Sequence, residues 1–259
     1  MKINHHISLS VSSEDCKALS RMGVEVKEGF HGFDVDEEHK HWLELSEWIK
    51  KRKAVDMVYT IFTKNEIAKV DWLQIVPEWH YGYPQPHEDE FGHHEATYDL
   101  SDYCSKCGIG LVQKAPFQMK NEPKWGGNRI LQMNWVFDEF FVTPEVWKSI
   151  FKPYDIMCRP VINRKGIELE TVVQLVVEQE HSIFTENLAN EKCPSCGRVK
   201  YLPVVRGYFP NLKDEPSISI VKTKEYFGSG ARAYKKILIS QKHAKTLEKA
   251  KVRGVKVKP

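Results

Sequence analysis

Apolar and polar positions along the chain follow two periods, and the switch between them separates expected strands from expected helices. At residues 6–12, Ile7, Leu9 and Val11 occupy every second position, as in a strand with one face buried. Ser12 then offers a side-chain cap, Glu14 and Asp15 place acid in a first helical turn, and Gly23 ends a helix expected to reach about Met22. A short strand is expected at residues 24–26. Within residues 38–53, Trp42, Leu45, Trp48 and Ile49 recur at three- and four-residue intervals, forming one apolar helix face. The cations at 50–53 fall at the end where the helix dipole favours them, so they need no ligand. Strands at 55–62 and 72–76 flank a helical turn at 65–70.

Pro77, Gly82, Pro84, Pro86 and Gly92 then interrupt both periods and predict irregular backbone over residues 77–103. Further on, Leu131, Met133, Trp135 and Phe137 alternate with polar or smaller residues, which predicts a strand running to Val142. Thr143, Pro144 and Glu145 combine a hydroxyl cap, a proline at the first helical position and an acid in the first turn, the start of a short helix ending before Pro153. Strands at 156–162 and 167–177 flank a hairpin at Asn163, Arg164, Lys165 and Gly166, and the second, apolar on both faces, is expected to be central. A strand follows at 201–205. Gly228 and Gly230 match neither a P-loop nor a dinucleotide fingerprint and read as a turn. The chain closes with a strand at 237–239, the cap Ser240, a helix over 241–251, Gly254 and a strand at 255–257. The order strand, capped helix, strand recurs at 6–26, 139–160 and 237–257, a faint internal repeat. The expected fold is α+β, with mixed sheets and short helices, in two modules: residues 1–99 and a metal-stapled module over residues 100–259.

The chemistry is concentrated in two cysteine hooks, Cys104-Ser105-Lys106-Cys107-Gly108 and Cys193-Pro194-Ser195-Cys196-Gly197. Each spacing lets a tight turn aim two sulfurs at one ion, with glycine where the turn relaxes. Four thiolates make a closed tetrahedral shell, the form of a structural zinc site with Cys104, Cys107, Cys193 and Cys196 as ligands. The 85 residues between the hooks far exceed the spacing of a short zinc ribbon, but loop-closure entropy grows only with the logarithm of length. Two disulfides, a redox pair or unrelated buried cysteines are the competing readings. The lack of a secretory signal and the two remaining cysteines, Cys16 and Cys158, favour zinc in a reducing compartment. Cys16 and Cys158, among apolar neighbours, read as small buried side chains.

At 259 residues, with 41% hydrophobic and 28% charged residues, the chain has the composition of a soluble globular protein. No apolar block is long enough for a signal or a membrane span, so the expected location is the cytoplasm, with no membrane partner. The net charge of +3 hides an asymmetry: residues 222–259 carry twelve Lys or Arg against two acids, leaving −7 on residues 1–221. The basic end, with Tyr226, Phe227 and Tyr234, reads either as a solvated face or as a nucleic-acid surface in which cations meet phosphates and aromatics stack on bases. Between Glu88 and Asp102 lie six acids and no Lys or Arg, with His87, His93 and His94 in or beside them. That stretch reads as a second metal site, an acidic face for a basic partner, or a plain surface loop.

The hooks, the Trp135 stretch and the closing segments (Ile237-Leu238-Ile239-Ser240 and Gly254-Val255-Lys256-Val257-Lys258-Pro259) resemble the double-CXXCG-motif proteins, some of which are assigned as bacterial immunity proteins. The resemblance covers roughly residues 100–259 and none of residues 1–99. It implies a non-catalytic protein that binds and neutralises a cognate toxin. No catalytic motif opposes this: GxSxG, HExxH, a Walker loop and a kinase set are all missing, and a shell of four cysteines fills the position a zinc deaminase leaves for water. The fragment Glu25-Val26-Lys27 resembles the E-x-K of metal-dependent nucleases, but so short a fragment arises by chance.

Overall fold

The computed structural model describes residues 1–86 and 92–259 and shows an α+β fold of mixed sheets and short helices. Two compact units divide the chain, one of Met1–Ile67 with Val204–Tyr208 and one of Ala68–Pro203 with Phe209–Pro259. The module boundary read from the sequence, after residue 99, lies inside the second unit.

The first unit is an antiparallel sheet in the order β2-β1-β3, built from β1 (Lys2–Val11), β2 (Gly29–Asp36) and β3 (Val55–Ile61). Helices α1 (Ser13–Arg21) and α2 (Trp42–Arg52) join its strands, and α3 (Lys64–Ala68) follows β3. The alternation in β1 buries Ile7, Leu9 and Val11 against Leu19 and Met22 of the α1 segment and Leu45 and Ile49 of α2. Ser12 caps α1 in a reciprocal box with Asp15, and Arg52 at the end of α2 reaches back to the Asp15 carboxylate. The expected strand at 24–26 does not form. β1 pairs instead with β2 on one edge and β3 on the other, and a Cβ at Gly32 would meet only the end of the His6 side chain, at 2.9 Å. Residues 204–208 return to this unit through Thr60, whose Oγ1 donates to the Val205 carbonyl and accepts from the Gly207 N–H.

The second unit contains β4 (Trp72–Pro77), α4 (Gly92–Thr97), β5 (Tyr98–Asp99), β6 (Val112–Gln113), β7 (Ile130–Leu131), β8 (Phe141–Val142), α5 (Pro144–Val146), β9 (Cys158–Ile162), β10 (Glu168–Leu175), β11 (Glu180–His181), β12 (Asn190–Lys192), β13 (Val199–Tyr201), β14 (Ile220–Phe227), β15 (Tyr234–Ser240), α6 (Gln241–Lys249) and β16 (Val255–Lys258). One sheet runs β7-β8-β10-β9, with β10 central as expected. A larger one runs β12-β13-β14-β15-β4-β16, with β11 alongside β14, and β5 pairs with β6. The expected strand from 131 to 142 is interrupted: Trp135 adopts φ 68° and turns the chain back, so that β7 and β8 pair as a hairpin. Leu131, Met133 and Val136 still enter the core with Phe117, Phe141, Val161 and Val172. Thr143 caps α5 as predicted, but the helical path continues through a wider turn at Trp147–Phe151 and a tight one at Lys152–Tyr154 that includes Pro153.

Two stretches of this unit share one order: lead strand, cysteine hook, strand, capped helix, strand. The first is β4, the hook at 104–107, β8, α5 and β9; the second is β10, the hook at 193–196, β15, α6 and β16. Thr143 and Cys158 stand 15 residues apart, as do Ser240 and Val255. Each lead strand lies between the other stretch's two strands, β10 between β8 and β9, β4 between β15 and β16, all antiparallel. Residues 6–26 do not share this arrangement.

Ser240 caps α6 by accepting from the His243 N–H, and His243 is fully buried, stacked on Tyr154 at 4.1 Å. Its Nδ1 lies 2.8 Å from Ser219 Oγ, while Nε2 has no partner among the described residues, an arrangement suited to a neutral ring. Burial pushes its pKa down to about 4. The unfolded chain binds this proton near pH 6.5, so the contribution of His243 is complete above that pH and is lost as pH falls to about 4. On the order of 2–3 kcal/mol should disappear over that interval. Unfolding midpoints followed from pH 7 to 4.5 should fall in the native chain and fall less in His243→Phe; equal slopes would show that His243 is not the titrating group.

Candidate metal centre

The two hooks fold to the same local pattern. Cys104 donates its N–H to the Ile109 carbonyl at 2.9 Å and Cys193 to Arg198 at 2.8 Å. Gly108 and Gly197 donate back to the carbonyls of Cys104 and Cys193 at 2.7 and 2.9 Å. Both glycines adopt positive φ, 82° and 74°, the left-handed conformation that closes such a turn. Gly108 has a second reason: a Cβ there would stand 2.3 Å from the Ala231 carbonyl oxygen, so the turn at 228–233 rests directly on the first hook.

The four predicted residues come together. Cys104 Sγ is 3.9 Å from Cys193 Sγ, Cys107 Sγ is 3.7 Å from Cys196 Sγ, and all four sulfurs lie within 4.8 Å of one another. A tetrahedron with metal–sulfur bonds of about 2.3 Å has edges of about 3.8 Å, so the spacing matches one four-thiolate site. It is nearly twice a sulfur–sulfur bond of about 2 Å, and all six cysteines are free. Among the described residues this is the one group of three or more ligating side chains close enough to share an ion. His93 and His94 lie buried on α4, and His87 lies outside the described residues. Cys16 packs against the core of the first unit and Cys158 lies on β9; both are half-buried rather than fully enclosed.

Cys104, Cys107 and Cys193 are buried together with Ile109, whereas Cys196 is exposed. Arg198 serves that exposed sulfur: Nε donates to Cys196 Sγ at 3.4 Å, while Nη1 and Nη2 donate to the Asp102 carboxylate and carbonyl at 2.8 Å. The guanidinium thus bridges the second hook to the residues preceding the first, and it holds the Cys196 thiol down to about 6. Burial pushes the Cys107 thiol up to about 12, and the N–H groups of Cys107 and Lys106 lower that of Cys104. A divalent cation would draw all four into the thiolate form.

Lys200, 3% exposed, donates to the carbonyls of Cys107, Gly230 and Arg232, and so ties the first hook to the 228–233 turn. Sequence reasoning missed both supporting cations. Arg198 had one available signal, its place two residues after Cys196; Lys200 had none, because its three acceptors are backbone carbonyls brought together only by the fold.

The basic C-terminal stretch is partly consumed within the fold. Lys222 pairs with Glu139, Lys235 pairs with Glu180 and lies over the Tyr226 ring, and Phe227 is fully buried. No described helix is long and apolar enough to cross a membrane. Neither a protein-family model nor any curated protein matches the chain.

Proposed function

We propose that Cys104, Cys107, Cys193 and Cys196 hold one structural zinc ion, and that the chain is a cytoplasmic, non-catalytic binding protein whose partner is a protein. The observation that carries the zinc assignment is the spacing of four sulfurs contributed by two matching turns. Zinc suits an all-thiolate tetrahedron, and four protein ligands leave no position for a substrate or an activated water. The ion would join segments 85 residues apart and support the fold rather than perform chemistry.

The specific partner we propose is a cognate toxin, on the strength of the resemblance of the hooks, the Trp135 stretch and the closing segments to the double-CXXCG-motif proteins. The test is capture from native cell lysate with and without nuclease, followed by expression of the captured protein alone and together with this chain. A nuclease-resistant protein that arrests growth alone and not in co-expression supports the proposal. Retention of nucleic acid only, with everything lost on nuclease treatment, overturns it in favour of a surface built on residues 222–259.

A further inference from the structure

Beside the hooks, the second unit contains a cleft of about 320 Å³, bounded by Gly108 and Ala233 on the hook side. That volume lies at the lower end of the range for small-molecule sites. We propose that this cleft, walled by Trp135 and Phe137 and floored by Asp138 and Glu139, binds a small organic cation of the guanidinium or primary-amine class.

The charges lining the cleft determine the sign of the ligand. Arg159 bonds to Glu178 at 3.0 Å, Lys235 pairs with Glu180, and Lys222 pairs with Glu139, which also accepts from Gln174 Nε2 at 2.9 Å. Each of these three cations is thereby matched to an acid. Asp138 is the acid left over: its carboxylate accepts the Lys235 backbone N–H at 3.3 Å and makes no ion pair among the described residues. An anion would have to displace one of three formed pairs, whereas a cation completes a fourth. The direction of the local field agrees. Burial and then the carboxylates of Asp138 and Glu139 raise the Tyr98 phenol, and burial lowers the Lys222 ammonium less than the carboxylates of Glu139, Asp138 and Glu180 together raise it.

The walls suit the same ligand. Trp135 is a bulky residue at φ 68°, a conformation that costs free energy and is held by the Tyr83 ring at 4.6 Å. Phe137 is 37% exposed at the cleft, and aromatic faces nearby already carry cations: Arg232 over Phe137 at 5.7 Å and Lys235 over Tyr226 at 4.8 Å. A guanidinium or ammonium group with a short apolar stem combines a countercharge for Asp138 with a surface that an aromatic wall attracts.

The assignment of this cleft rests neither on which metal the hooks hold nor on the identity of the protein partner. It is tested by calorimetric titration of the purified full chain with agmatine, with a capped arginine tripeptide, and with citrate as the anionic control. Saturable one-to-one binding of a cation is expected, weakening with salt. Agmatine alone would identify a free small molecule as the source; the tripeptide alone, an arginine on a protein. Asp138→Asn should weaken binding by about tenfold with its unfolding midpoint unchanged, and Phe137→Ala, at an exposed position, should weaken it several-fold. No saturation with either cation, binding of citrate instead, or cation binding unchanged in both variants overturns the assignment.

Discussion

Cys193→Ser is expected to abolish stoichiometric zinc and to lower the unfolding midpoint of the second unit more than any other single change considered. The serine hydroxyl stays protonated at neutral pH and is a poor ligand for a thiophilic ion, so the site would keep three sulfurs, one of them the exposed Cys196. Metal bound to the folded chain contributes its binding free energy to stability, with apparent values of about 10–16 kcal/mol for small structural zinc sites. Ordinary domains are stable by only about 5–15 kcal/mol, so losing even half of the metal's contribution leaves little in reserve. Elemental analysis and thermal unfolding of the same preparations supply the check. Cys16→Ser, altered in the other unit, should keep one zinc per chain, and one zinc per chain in Cys193→Ser would sink the assignment.

Lys222→Met should be nearly as damaging for a different reason. Lys222 and Glu139 are 9% and 8% exposed, and removing one member of a buried pair strands the other, at a cost of about 3–5 kcal/mol. Burial already raises the pKa of the Glu139 carboxyl above its ordinary value despite Lys222. Without the lysine it rises further, and a carboxyl whose folded pKa exceeds the unfolded one is stabilised as pH falls. The penalty in Lys222→Met should therefore be larger at pH 7.5 than at pH 5.5, and the double variant Glu139→Gln, Lys222→Met should recover most of it. Urea unfolding of both variants at the two pH values measures this; a pH-independent penalty that persists in the double variant would show that lost packing, not a stranded charge, is responsible.

The legible parts of the chain were those whose signal is local. Ser12, Thr143 and Ser240 cap the helices where expected, because a hydroxyl followed by a helical turn carries its partner within three residues. The four cysteines were legible as a set, since each pair fits within one tight turn and the fold had only to bring two turns together. What was not legible turns on distant contacts. No strand is expected at 29–36, where β2 pairs with β1, and the apolar alternation at 131–137 looks like a strand until Trp135 reverses it. Within the charge run at 222–259, Lys222 and Lys235 pair with Glu139 and Glu180, dozens of residues earlier, and no local signal marks those two lysines from the rest. Charge runs show net balance in a sequence and show nothing of which members are already spent.

The placing of β10 between β8 and β9, and of β4 between β15 and β16, makes the second unit a mutual clasp. Neither half can complete its sheet from its own residues: each needs a strand lent by the other, and each lends one in return. Such a unit is wired like a dimer of two short chains that have been joined end to end, with the four sulfurs as the buckle where both halves meet. Its two sheets are therefore bound to gain and lose order together.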